Sequence, residues 1–334
     1  MIIKLLEPLV VKREVVENLS SEIKKLGHEF VYYDTKTTDV EELKERAKDA
    51  DILMIANNPL PNEVIEVAKN LKMISVAFTG FDHIGTLAKE RGIVVCNAAG
   101  YANNAVAELV IGLTLDLMRN INKCNSVIRK GGTIAGLIGG EVKGKTIGIV
   151  GTGRIGTMTA NLFKCMGANL IGYDITENPK AIELGLKYVD IDTLMKTSDI
   201  ISLHLPLNDS TRGFISKEKL SLMKETSVLI NCARGAVVDN NALAEILNEE
   251  KIAGAGIDVF DMEPPIPSDY PLLNAKNTIL TPHVAFASHE SMIIRAEITF
   301  DNVNKYLAGT PINVVKLYKN KKKTLNYSRL LEVD

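Results

Sequence analysis

The sequence has little of what marks several specialised classes of protein. Its 334 residues include no tryptophan and only four cysteines, scattered at positions 96, 124, 165 and 232 without a Cys-X-X-Cys pair. This spacing argues against a disulfide framework and against a cysteine-based zinc site, and it is typical of reduced thiols in a cytoplasm. We therefore expect no bound metal and a cytoplasmic location.

The sequence also has a low net charge and lacks long uninterrupted apolar stretches. Basic and acidic side chains nearly balance, for a net charge of −2, so no electrostatic feature favours nucleic acid or an anionic membrane as a partner. The longest apolar stretch, residues 105–118, contains Glu108 and Asp116 and does not suit a bilayer span. The first seven residues carry charge too early for a signal peptide and predict a strand. The basic run 319–323 is interpreted as a solvated end.

What the sequence does contain is an alternation of short apolar strands with amphipathic helices. The length suits two domains, and the alternation predicts an α/β protein built on two doubly wound parallel sheets. A long helical stretch is expected at about 103–130. A last helix, at about 288–307, is followed by an apolar segment, 311–315, that we expect to return to the first domain. Strands are predicted at 2–6, 29–33, 52–56, 73–78, 94–97, 146–150, 168–173, 200–205, 227–231, 254–258 and 278–280.

The most informative motif is a glycine turn between a strand and a helix. Gly151 permits the tight turn, Gly153 allows a pyrophosphate to approach the backbone, and Gly156 lets the helix pack closely on the strand. Asp174 ends the next strand, where a carboxylate accepts hydrogen bonds from the adenosine ribose. The alternative is an ordinary strand-to-helix turn. The preceding strand, the following helix and the acid together favour a dinucleotide-binding site.

The charge at the end of that second strand bears on which dinucleotide binds. A carboxylate at Asp174 repels the 2′-phosphate of NADP, and the next two residues, Ile175 and Thr176, include no arginine to receive it. The sequence therefore predicts NAD as the cofactor.

Three later strands end in side chains suited to 2-oxo acid chemistry. Arg234 suits bidentate binding of a carboxylate, and His283 suits proton donation to a carbonyl oxygen. Glu263 suits the second ring nitrogen of the histidine, which it would orient. Taken singly, these residues have other interpretations: a salt-bridge partner, a structural histidine and a turn residue. Together they predict a catalytic set.

Several segments carry a resemblance to a known family, the NAD-dependent D-isomer-specific 2-hydroxyacid dehydrogenases. The similarity runs from about residue 78 to 311, and it is closest to the D-lactate and D-2-hydroxyisocaproate branch. It implies the roles of Arg234, Glu263 and His283 given above. The segments that carry it are 151–156, 204–207, 229–235, 258–264 and 281–285.

The resemblance also implies a set of binding residues. Tyr101 and Phe286 would form an aromatic, apolar wall for a small or alkyl side chain of the substrate. The backbone at Thr79 and Gly80 would meet the substrate carboxylate. The implied NAD-binding residues are Gly151, Gly153, Arg154, Ile155, Gly156, Asp174, Pro206, Thr211, Cys232, Ala233 and Asp258, the last at the nicotinamide amide.

The same family implies the domain arrangement. A flavodoxin-like substrate domain would comprise residues 1–100 plus 298–334, and a Rossmann NAD-binding domain would comprise 101–297. Family members of this kind form dimers through the cofactor domain, so 103–130 is the candidate homodimer interface.

The substrate itself stays open at this point. Within the same scaffold the alternatives are glycerate or hydroxypyruvate, phosphoglycerate, formate and phosphite. An alternative of another class is a corepressor-like NAD-binding protein, since corepressors of this family keep the fold and the three residues.

Overall fold

The computed structural model describes residues 1–262 and 265–315, which pack as two compact units. One unit contains residues 1–101 together with the segment from Met292, and the other contains 102–291. Glu263 and the basic run 319–323 lie outside the described residues. None of the described helices combines the length and apolar character needed to cross a membrane.

The first unit is built on a five-stranded parallel sheet with strand order β2-β1-β3-β4-β5. Its central strands β3 and β4 are buried along their whole length, as expected for parallel strands covered on both faces. This order is the flavodoxin-like one. The strands are β1 Ile2–Leu5, β2 Glu29–Tyr32, β3 Ile52–Ile55, β4 Met73–Val76 and β5 Val94–Asn97.

The second unit is built on a seven-stranded parallel sheet with strand order β12-β11-β10-β9-β6-β7-β8. The order reverses between β6 and β9, the point where a doubly wound sheet opens a crevice for ligands. The predicted fold class, with one flavodoxin-like and one Rossmann sheet, is confirmed. The strands are β6 Thr146–Val150, β7 Asn169–Tyr173, β8 Lys187–Tyr188, β9 Ile200–Leu203, β10 Val228–Asn231, β11 Gly254–Ile257 and β12 Thr278–Leu280.

Helices follow nearly every strand and cover the sheets. Short 3₁₀ turns occur at Gly235–Val237 and Pro271–Asn274. The α-helices are α1 Arg13–Lys25, α2 Val40–Ala47, α3 Asn62–Val67, α4 Leu87–Glu90, α5 Asn103–Arg119, α6 Ile121–Arg129, α7 Arg154–Cys165, α8 Pro179–Glu183, α9 Ile191–Thr197, α10 Lys217–Leu220, α11 Asn240–Asn248 and α12 His289–Leu307.

The prediction of one helical stretch over 103–130 is wrong in one respect, because the chain forms two helices there. Asn120 separates α5 from α6 in the left-handed conformation, with φ of 56°. Asparagine tolerates this region better than most residues, so it ends α5 as a glycine would. Apolar periodicity continues across the break, and that is why the sequence pattern did not show it.

The C-terminal part of the described chain belongs to the first unit. In α12, Ala296, Phe300 and Val303 are buried in the same core as β1 and β3. Residues 292–297, which the sequence placed with the cofactor domain, therefore group with the first sheet. Beyond α12, the N–H of Val315 donates to the carbonyl of Val95 at 2.9 Å, so the predicted return of 311–315 is confirmed.

Candidate active site

The glycine turn of the second unit joins β6 to α7. Gly151 has φ of 95°, a conformation that favours glycine, and its N–H donates to the carbonyl of Tyr173 at 2.8 Å. A Cβ on Gly156 would lie 2.0 Å from the carbonyl oxygen of Gly151, whereas one on Gly153 would have no atom within 4 Å. The turn is thus closed on its inner side and open on the side of Gly153.

The carboxylate of Asp174 lies beside this turn. Its Oδ2 accepts from the Thr152 N–H at 2.6 Å, and its Oδ1 accepts from the Ile175 N–H at 2.7 Å. The Thr152 side chain also reaches Tyr188, whose hydroxyl lies 2.6 Å from Thr152 Oγ1. Thr152 and Tyr188 were not among the predicted site residues, because Thr152 occupies a variable position of the glycine pattern and Tyr188 lies outside it.

These residues fit a dinucleotide. Arg154, Ile155 and Gly156 form the first turn of α7, a twelve-residue helix whose first N–H groups have no acceptor within the helix. They adjoin the open side of the turn at Gly153, so the arrangement suits a pyrophosphate. The carboxylate of Asp174 suits the hydroxyls of a ribose. A nicotinamide dinucleotide bound by these residues would supply hydride-transfer chemistry.

The loop after β9 holds two further predicted residues together. The hydroxyl of Thr211 donates to the carbonyl of Pro206 at 2.6 Å. Just before it, Nε2 of His204 lies 2.9 Å from the hydroxyl of the buried Ser202. Burial lowers the pKa of His204 to about 3, so the ring is neutral at physiological pH.

The end of β10 presents Cys232, Ala233 and Arg234 in sequence. Asn231 is fully buried and organises this turn: its Oδ1 accepts from the Ala233 N–H and its Nδ2 donates to the Arg234 carbonyl, both at 3.0 Å. A guanidinium nitrogen of Arg234 donates to the Ala233 carbonyl at 2.8 Å. Burial, together with the charge of Asp258, raises the pKa of the Cys232 thiol, so the protonated thiol is favoured over a thiolate nucleophile.

Asp258 follows β11 and anchors the loop that carries His283. Its side chain is fully buried, with Oδ1 accepting from Thr281 Oγ1 at 2.6 Å and from the Val284 N–H at 2.9 Å. Its Oδ2 accepts from the Ala285 N–H at 2.9 Å. The pKa of Asp258 is raised, because the effect of burial outweighs the opposite effects of these hydrogen bonds and of the nearby His283. The sequence did not show this anchoring, and the predicted contact of Asp258 with the nicotinamide amide stays a prediction.

His283 is presented by backbone geometry that few residues adopt. Its φ is 57°, and its N–H donates to the Asp258 carbonyl at 2.8 Å. Phe286 packs edge-to-face against the imidazole, with ring centroids 5.5 Å apart and an interplanar angle of 89°. The structure therefore brings two predicted residues together, one catalytic and one substrate-binding. Glu263, the predicted partner of the ring, lies outside the described residues.

The predicted residues of the first unit follow β4 and β5. The carbonyl of Thr79 accepts from Asn97 Nδ2 at 2.7 Å, which fixes the turn that continues to Gly80. Tyr101 is 4% exposed; its ring lies 6.0 Å from that of Phe78 and 6.0 Å from the guanidinium of Arg295. Its predicted role as a substrate wall stays a prediction.

The second unit defines the class of protein. Its sheet order, its glycine turn with a terminal acid, and the strand ends that carry Arg234 and His283 are those of a dinucleotide-dependent dehydrogenase. Among the residues that the structure describes, no group of three His, Cys, Asp or Glu side chains is placed to hold a metal ion.

Comparison with known proteins gives the family. Residues 111–285 match the family described as D-isomer specific 2-hydroxyacid dehydrogenase, NAD binding domain. The chain belongs to this family, and the predictions of the family, of an NAD-dependent enzyme and of NAD as the cofactor are confirmed.

Relatives within the family carry several names. The chain is 36% identical over 303 residues to a hydroxypyruvate reductase of Blautia hydrogenotrophica, covering 88% of this chain and 93% of that one. It is 40% identical over 278 residues to a glyoxylate reductase of Thermofilum pendens, covering 80% and 82%. A solved D-lactate dehydrogenase from Aquifex aeolicus, complexed with NAD and lactic acid, superposes with a TM-score of 0.80 at 28% identity, covering 95% and 100%.

Proposed function

We propose that this protein reduces a small 2-oxo acid to the (R)-2-hydroxy acid, with an alkyl side chain such as that of pyruvate or 2-oxoisocaproate. The observation that carries the proposal is the edge-to-face packing of Phe286 on His283. An apolar ring beside the proton donor favours an apolar substituent next to the reacting carbonyl. The solved D-lactate dehydrogenase of similar fold supports the same assignment.

In this mechanism each side chain has one task. Arg234 binds the substrate carboxylate through two parallel N–H donors and polarises the adjacent carbonyl. His283 gives its proton to the carbonyl oxygen, while a bound nicotinamide dinucleotide would supply the hydride. Glu263 is the proposed partner that orients the imidazole.

Reduction of glyoxylate or hydroxypyruvate is the second candidate. It is supported by the names of the Blautia and Thermofilum relatives, and it differs only in the substituent that the wall at Phe286 must accept. A hydroxymethyl group or a hydrogen atom leaves more of that wall without an apolar partner than an alkyl group does.

Oxidation of NADH by the purified protein distinguishes these candidates. The substrates to compare are pyruvate, 2-oxoisocaproate, phenylpyruvate, glyoxylate, hydroxypyruvate and 3-phosphohydroxypyruvate, with NADPH as the control cofactor. The highest kcat/KM on pyruvate or 2-oxoisocaproate supports the proposal. A preference of about tenfold or more for glyoxylate or hydroxypyruvate, roughly 1.4 kcal/mol in transition-state binding, selects the second candidate. Turnover of none of them, with NADH still bound, contradicts both.

We also propose a homodimer formed through α5, α6 and the segment that follows. Helix α6 has no buried residue, and Ile128, Ile134 and Ile138 are 68%, 75% and 86% exposed. A cavity of about 540 Å³ lies among residues 119–141. Exposed isoleucines grouped on one surface favour burial by a second copy. Sedimentation of Ile128→Asp/Ile138→Asp as a monomer, with the parent sedimenting as a dimer, supports this; a monomeric parent contradicts it.

For location we propose the cytoplasm. All four cysteines are free thiols, which suits a reducing compartment. Fractionation that places the protein with a secreted or periplasmic marker would contradict this.

A further inference from the structure

The carboxylate of Asp174 lies at the end of a chain of hydrogen bonds that starts at Tyr188. The N–H of Asn178 donates to the Tyr188 hydroxyl oxygen at 2.8 Å. That hydroxyl lies 2.6 Å from Thr152 Oγ1, and Thr152 Oγ1 lies 3.2 Å from Asp174 Oδ2. The four residues come from the glycine turn, the end of β7, the start of α8 and strand β8, so these hydrogen bonds connect four neighbouring segments.

The chemistry of the groups fixes the direction of every donor. An ionised carboxylate only accepts, so the single hydroxyl proton of Thr152 points to Asp174. Thr152 Oγ1 then accepts, and the Tyr188 hydroxyl must donate to it. The Tyr188 oxygen in turn accepts from the Asn178 N–H. Along this series of hydrogen bonds, from Asn178 through Tyr188 and Thr152 to Asp174, every donor therefore points towards the carboxylate.

Because the hydrogen bonds are buried, losing one of them would leave a polar group without a partner. Thr152 is 1% exposed, and water is a poor substitute for the tyrosine hydroxyl there. The Asn178 side chain adds a second tie, since its Nδ2 donates to the Thr152 carbonyl at 2.7 Å and to Thr157 Oγ1 at 3.1 Å. Asp174 itself is only half-buried, so its orientation depends on the donors around it.

We propose that Tyr188 is a positioning residue for cofactor selection. Through Thr152 it holds the Asp174 carboxylate in the orientation that accepts from the ribose hydroxyls and repels a 2′-phosphate. The proposal rests on the predicted ribose-binding role of Asp174, and it is independent of the substrate. Tyr188 itself contacts Thr152 and Asn178, so its effect on the cofactor is transmitted through them.

The test is the affinity of Tyr188→Phe for NADH and for NADPH, measured by calorimetry on the full chain without substrate. We expect the Kd of NADH to rise ~5-fold, as for the loss of one hydrogen bond, and the Kd of NADPH to change less than about 2-fold. Discrimination against NADPH then falls. Tyr173→Phe is the matched control. It also removes a tyrosine hydroxyl, but from the neighbouring strand β7 and from a ring that stacks on Phe214. An equal weakening of both cofactors, or no change in either, overturns the proposal.

A second variant tests the route through Thr152. Thr152→Val removes the hydroxyl while keeping the N–H that binds Asp174, and we expect it to lower discrimination as Tyr188→Phe does. The double variant should then show no further loss, whereas additive losses contradict a shared route. Asp174→Ala distinguishes the positioning role of Tyr188 from the ribose-binding role of Asp174. If it lowers discrimination and Tyr188→Phe does not, the positioning role is wrong; if it has no effect, the ribose-binding role of Asp174 is wrong too.

Discussion

The backbone N–H of His283 donates to the carbonyl of Asp258 at 2.8 Å. Asp258 also holds the two residues after His283 with its side chain, since Val284 and Ala285 both donate to the carboxylate. The imidazole therefore sits on a loop that one buried acid fixes from both ends. The backbone of the loop that carries the imidazole is therefore held by hydrogen bonds to Asp258.

Replacing that acid by its amide should disturb catalysis as well as stability. In Asp258→Asn, one oxygen becomes an NH2 group that faces the N–H donors of Val284 or Ala285. We expect the free energy of unfolding to fall by about 1–3 kcal/mol, as for an unsatisfied buried group, and kcat to fall about tenfold or more as His283 moves. Chemical denaturation and steady-state kinetics measure the two effects. Asp190→Asn, at the exposed N-cap of α9, is the control, and a kcat as high as in that control would contradict the anchoring role.

The proton-donor role of His283 is tested by His283→Asn. Asparagine is chosen because it tolerates the φ of 57° at this position. We expect kcat to fall by roughly 10²–10⁴, the usual contribution of a general acid, with the Kd of NADH unchanged. The control His289→Asn alters an exposed residue at the start of α12 and should keep full activity. Unchanged turnover in His283→Asn would remove the histidine from the mechanism.

Much of this arrangement could be predicted from the sequence, because parallel strands leave strong apolar signals. The buried strand β3 appears as an unbroken apolar run, and Arg234 and His283 lie in the short segments that follow β10 and β12. The left-handed Asn120 and the anchoring by Asp258 could not be predicted in the same way. Both depend on backbone geometry and on hydrogen bonds between residues distant in the sequence, which side-chain periodicity does not encode. The same holds for Tyr188, whose partner Thr152 lies 36 residues away.

Phe286 should set the preference for the substrate side chain. In Phe286→Leu, the flat ring edge beside His283 is replaced by a smaller group, so a branched or aromatic 2-oxo acid loses contact area. We expect the ratio of kcat/KM for 2-oxoisocaproate over glyoxylate to fall about 3- to 10-fold, the effect of one or two methylene contacts. Phe214→Leu, in the same unit but stacked on Tyr173, is the control. An unchanged ratio in Phe286→Leu would mean that another surface contacts the side chain.

Cofactor preference should follow the charge at the end of β7. The double variant Asp174→Ala/Ile175→Arg removes the repulsion of a 2′-phosphate and adds a cation that can bind it. Ile175 is 94% exposed, so the arginine is accommodated without disturbing the core. We expect the Kd of NADPH to fall about tenfold or more and the Kd of NADH to rise, corresponding to roughly 1.4 kcal/mol for each tenfold change. Ile182→Arg adds the same charge at an exposed position of α8 and should leave both values unaltered; the same result in the double variant would contradict the role of Asp174.

His204 should make the second unit sensitive to acid. Burial lowers its pKa from 6.5 to about 3, so the ring stays neutral in the folded state and takes up a proton in the unfolded state below about pH 6.5. The unfolded state therefore binds more protons there, and stability falls as the pH decreases from 6.5 towards 3. Between pH 7 and 5 we expect the free energy of unfolding to fall by about 1 kcal/mol from this residue. This is less than the full shift would give, because His204 is only partly buried.

Denaturation of the parent and of His204→Asn at the two pH values measures this loss of stability, with His289→Asn as the exposed control. If His204→Asn loses as much stability on acidification as the parent does, His204 is not the group that titrates.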